Sequence, residues 1–113
     1  MEKLNPIVIT LEDGTVYTLE FSRETAKAAE EGGFKRTDIA DKLMTRMEQL
    51  FFFAFRMHHP TVSRAKAMDI LYNQLGGMSD VVQDRLMDLF NAPYETLVNE
   101  NGTPKNPKVT VSL

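Results

Sequence analysis

The chain has 113 residues, 42% of them hydrophobic and 26% charged, with a net charge of −3 and a pI near 5.3. That is enough for one domain with a modest core. There is no cysteine, which excludes disulfides, thiolate catalysis and cysteine–zinc sites, and the acidic balance argues against nucleic acid, whose affinity needs a basic surface.

The first residues, Met1 to Pro6, hold no apolar h-region. No apolar run in the chain approaches the ~20 residues of a membrane span. The expectation is a protein without a signal peptide or membrane partner, which suits a cytoplasmic location. Ile7 to Leu11 is β-branched and apolar, Glu12-Asp13-Gly14 supplies a turn, and Thr15 to Phe21 alternates with Tyr17, Leu19 and Phe21 on one face. These residues predict an N-terminal β-hairpin. A hairpin alone is marginal in water, so its apolar face must lie on helices.

Ser22 is placed to cap an Ala-rich helix that Gly32-Gly33 ends, with Phe34 packing back. Thr37 to Ala40 suits a short helical turn. A long central helix is expected from about Leu43 to His58, stopped by Pro60. Ser63 caps the next, to about Leu75, with Met68, Leu71, Tyr72 and Leu75 on one stripe. Ser79 caps another, in which Val82, Leu86, Leu89 and Phe90 face the core. Pro93 should break or restart the chain, with a further short helix carrying Tyr94, Leu97 and Val98. Residues 101–113 read as a flexible tail, with Val109 to Leu113 able to add as an edge strand. The predicted architecture is an α-dominated α+β domain over residues 1–100, a hairpin packed on four or five helices.

The densest apolar text is Leu50-Phe51-Phe52-Phe53-Ala54-Phe55, which holds four of the seven Phe residues. Consecutive residues spread around a helix at about 100° each, so one face cannot hold them all. With Leu43 as origin, Met47, Leu50, Ala54 and Met57 form the core stripe. Met44, Phe51 and Phe55 widen it on one side and Phe53 on the other, while Phe52 falls among Thr45, Glu48 and Arg56. Either neighbouring helices wrap this hub, or part of it awaits a partner. The wheel nominates Met44, Phe52 and Phe55 as a partner-binding patch. The Met residues, seven in all, add an adaptable lining.

His58-His59 lacks a third ligand at a useful spacing, so a metal is not expected. Arg64 and Lys66, with Arg56 upstream, read as a solvated face, as do Asp80, Asp84 and Asp88 at i, i+4, i+8. No Gly-rich loop, nucleophile elbow or catalytic pairing is present, so neither an enzyme class nor a cofactor has support.

The order of these features resembles a family. The hairpin ends in Leu19-Glu20-Phe21-Ser22-Arg23, followed by an Ala/Glu helix and Gly32-Gly33-Phe34. Leu50 to Phe55 then leads to His58-His59-Pro60, and Leu86-Met87-Asp88-Leu89-Phe90 precedes Tyr94. Over roughly residues 15–98 this is similar to the small tail assembly chaperones of long-tailed bacteriophages, from prophages of Gram-positive bacteria in particular. The resemblance implies a non-enzymatic protein of the host cytoplasm. It implies binding to the hydrophobic, helical tape measure protein, with the tail tube protein as a second partner and self-association as a further expectation. Two other readings stand beside it: a tail or head completion protein kept in the virion, and a small helix-turn-helix regulator built on 64–75 and 80–90. The second is opposed by Ser79, Asp80 and Asp84 where phosphate would sit.

Overall fold

The computed structural model describes residues 4–97 and, beyond them, Lys108, Thr110 and Ser112. The rest of the expected tail, including Val109, Val111 and Leu113 of the expected edge strand, lies outside the described residues, and Thr110 and Ser112 are assigned to no strand. The architecture is the expected one: a two-stranded antiparallel hairpin, then four α-helices.

β1 (Ile7–Thr10) pairs with β2 (Val16–Leu19), Ile7 opposite Leu19 and Thr10 opposite Val16. Gly14 makes the turn at φ 90°, a conformation that costs a Cβ-bearing residue more. Ile9, Leu19 and Phe21 are buried and Tyr17 is half-buried, while Val8 and Val16 stay in solvent. The outer edge of β2 is not left open. The Glu20 N–H donates to Ala54 O at 3.0 Å, and the Thr18 N–H donates to His59 Nε2 at 2.9 Å. A helix end has spare carbonyls and a strand edge has spare N–H groups, so each satisfies the other.

α1 (Arg23–Glu31) begins at Ser22 in a reciprocal cap with Thr25. It ends at Gly32, and the Phe34 N–H returns to Ala29 O at 3.0 Å. Phe34 is buried, its ring edge-on to Phe90. Gly32 matters for space rather than for its backbone angle, φ −79°. A Cβ there would lie 2.7 Å from Phe53 Cε2 and closer still to Cζ. Gly→Ala at a compatible φ normally stabilises by about 0.4–1 kcal/mol. Here Gly32→Ala should instead destabilise by about 1–3 kcal/mol through overpacking, read as a lower midpoint in a urea titration.

A 3₁₀ turn (Arg36–Asp38) leads into α2 (Leu43–Ala54). α2 ends at Ala54, short of the His58 expected from Pro60. Its last turn tightens, with Phe55 N–H on Phe52 O and Arg56 N–H on Phe53 O, while the Ala54 carbonyl is given to the hairpin. α3 (Arg64–Asp69), capped by Ser63, continues as a π turn over Ile70–Gln74. That turn leaves half of the stripe expected from α-periodicity in place, with Leu71 buried and Met68 packed against the core. Ala67, Ile70 and Leu71 are buried, whereas Tyr72 and Leu75 are 45% and 41% exposed. The Leu75 N–H bonds to Ile70 O, five residues back, so the side chains beyond Ile70 rotate off the α-helical register.

α4 (Asp80–Leu97) is one helix running through Pro93, where a break was expected. A proline removes one intrahelical bond and bends a helix without having to end it when packing holds both halves. Here Leu86, Leu89 and Phe90 are buried in the common core. Phe90 meets Phe21 and Phe34 edge-on, so the second half of α4 is anchored to the hairpin side and to α1.

Arg46 is a buried charge that sequence patterning placed on no core list. Its guanidinium grips Asp38 with two bonds, Nε to Oδ1 at 2.7 Å and Nη2 to Oδ2 at 2.9 Å. Nη1 donates to Gly33 O and to Gln49 Oε1, each at 2.8 Å. The clamp ties the α1–α2 connection to α2. The Arg46 hydrogen bonds hold the Asp38 carboxyl below the usual carboxylate range. A carboxyl depressed in the folded state lends stability above its unfolded pKa of about 3.9, and that stability fades as pH falls toward the folded value. Stability should therefore drop from pH 5 downward, and Asp38→Asn should flatten that acid limb in urea midpoints measured against pH.

Candidate functional site: an apolar groove on α2

The patch nominated from the helical wheel does not assemble. Phe55 is fully buried, with ring centroids 5.5 Å from Tyr17 and 5.2 Å from Phe51. Phe52 is only 8% exposed. It lies against Phe53 and beneath two guanidinium groups, Arg56 at 5.1 Å and Arg64 at 5.0 Å. Of the three nominated residues only Met44 is open to solvent, at 71%. The physical reason is axial distance. A wheel projects Met44 and Phe55 to nearly one angle, yet 11 residues at 1.5 Å put them about 16 Å apart along the axis. The hairpin and the start of α3 wrap the C-terminal end of α2 and leave its N-terminal end open. Leu43 and Met57, the expected ends of the core stripe, are likewise 49% and 42% exposed.

The open end of α2 forms one wall of a groove. Leu43, Met44, Met47 and Glu48 face Leu71 and Tyr72 of the π turn, and Gly77 and Met78 close the floor before α4. The hollow measures about 210 Å³, below the ~300–1,000 Å³ of small-molecule sites. Its size and apolar lining suit a few side chains of a protein segment. Three methionines line it, and Met adapts its shape to varied apolar partners.

Local structure makes this wall. The π turn carries Tyr72 outward across the groove, where its hydroxyl donates to Glu48 Oε2. That bond to a carboxylate pushes the Tyr72 hydroxyl above its usual pKa. Gly76 and Gly77 then turn the chain back at φ 71° and 104°, left-handed values that favour glycine. The Gly77 N–H closes on Leu71 O at 2.8 Å.

The two histidines do not form a common site. His58 Nε2 sits 2.8 Å from Glu20 Oε1, and His59 Nε2 accepts from Thr18. Among the described residues no group of three or more His, Asp or Glu could hold a metal ion. No described helix is long and apolar enough to cross a membrane.

Residues 2–113 match a protein family described as "Domain of unknown function (DUF5055)". The chain belongs to that family. No curated protein and no solved structure matches it. In this DUF5055 protein, then, the groove between α2, the π turn and α4 is a candidate binding site. Sequence reading found Met44 in it but missed Leu71, Tyr72, Gly77 and Met78. The paired glycines after an apolar helix were the available signal.

Proposed function

We propose that this protein is a phage tail assembly chaperone, which takes an apolar helix of the tape measure protein into the α2–α4 groove. The observation that carries the reading is the groove itself, with Leu43, Met44 and Tyr72 each 45% exposed or more. Three such exposed side chains around one hollow are costly to leave in water and fit helix-in-groove recognition. The chemistry asked of such a protein is binding alone.

Energetics support a holder that lets go. Covering two or three large apolar side chains contributes about 1.5–3 kcal/mol each. Association costs about 4–15 kcal/mol. On these figures the groove's side chains alone give weak affinity at best, suited to a partner that must be surrendered to a growing tube. The test is co-expression with a phage tape measure protein. Capture of that protein, and absence of the chaperone from purified virions, is the expected result. Retention in the virion at fixed stoichiometry would favour the completion-protein reading instead.

A further inference from the structure

A second hollow, which shares no lining residue with the groove, lies between α1 and the C-terminal half of α4 and measures about 250 Å³. Ala26, Phe90 and Tyr94 give it an apolar floor. Arg23, Lys27 and Arg36 stand around it, with Glu30 as the one carboxylate among its described lining residues. Three cations against one anion is a local reversal in a chain of net charge −3. Arg36 is held in place, its guanidinium 4.5 Å over the Tyr94 ring and its Nη1 on Asn91 Oδ1 at 3.0 Å.

The same chain carries the complement. Val81 is 74% exposed on the first turn of α4. Asp80, Asp84 and Asp88 are exposed beside it, at one position before and three and seven after, so all four share one side of the helix. An apolar knob flanked on one side by three carboxylates matches an apolar hollow flanked by three cations. We infer that a second copy of this chain docks its Val81 knob, with Asp80, Asp84 and Asp88, into the Arg23–Lys27–Arg36 hollow. Knob and hollow are different surfaces, so the contact is head-to-tail and extends past two copies or closes as a ring. Opposite charges steer it and fix its register, and salt weakens it.

The test is sedimentation of the full chain over a concentration series, at low and high salt. The expected result is concentration-dependent association beyond the monomer that weakens with salt. Arg23→Glu/Lys27→Glu removes the hollow's charge and keeps the knob. Val81→Lys/Asp84→Arg spoils the knob and keeps the hollow. These side chains are exposed, so circular dichroism should show both variants folded. Each variant alone should associate about a hundredfold more weakly, since like charges then face each other. Mixed, they should associate again, because each knob then meets a hollow of opposite charge. A wild-type chain that stays monomeric to about 1 mM, or variants that associate like wild type, would overturn the inference. A mixture that stays monomeric would do the same.

Discussion

Phe55→Ala should cost about 3–5 kcal/mol of folding stability. Phe55 is the residue just past α2, fully buried, with Tyr17, Phe51 and His59 around its ring. Removing it leaves a cavity where hairpin and helix end meet, and the T-shaped contacts are lost with it. Domains of this size hold roughly 5–15 kcal/mol in total. The loss should therefore lower the melting temperature by roughly 15–25 °C, measurable by calorimetry. Phe52→Ala should cost less, because its ring lies near the surface under Arg56 and Arg64, whose aliphatic stems can settle into the gap. Equal losses at the two positions would contradict the burial described here.

Met44→Asp should leave folding intact and cut partner capture about a hundredfold. Met44 is 71% exposed, and surface changes of this kind usually stay within about 0.5 kcal/mol. In a complex, the same change removes the burial of one large apolar side chain and puts an unpaired carboxylate against an apolar helix. Together these amount to about 3 kcal/mol, and each 1.4 kcal/mol is tenfold in affinity. Calorimetric titration with the tape measure segment, beside a melting curve, reads both halves. Normal folding with normal capture would remove the groove from the proposed function. Lost capture with lost folding would show instead that Met44 supports the core.

The hairpin and the helix starts were legible because their causes are local. Tyr17, Leu19 and Phe21 alternate with period two, Ser22 and Ser63 sit where orphan N–H groups need acceptors, and Gly14 and Gly33 take the positive φ their turns require. Ala54 and Leu50 were placed in the core by spacing alone, and both are fully buried. These features need only the chain within a few residues.

What the tertiary structure decided lies at longer range. Whether Phe52 and Phe55 are core or surface depends on Arg64, Tyr17 and His59, none of which the α2 pattern contains. α2 ends where Glu20, just past β2 and 34 residues earlier in the chain, takes its last carbonyl through the Glu20–Ala54 bond, rather than where Pro60 would have stopped it. The groove needed the π turn at Ile70, which moved Tyr72 and Leu75 off a face that regular α-geometry would have buried. Arg46 reads as an ordinary helix-surface cation until Asp38, Gly33 and Gln49 meet it. By itself, then, the sequence determined the elements, their starts and the apolar hub. Which side of that hub is covered was settled by contacts between distant residues, since burial is a property of packed neighbours and helical spacing records only angles.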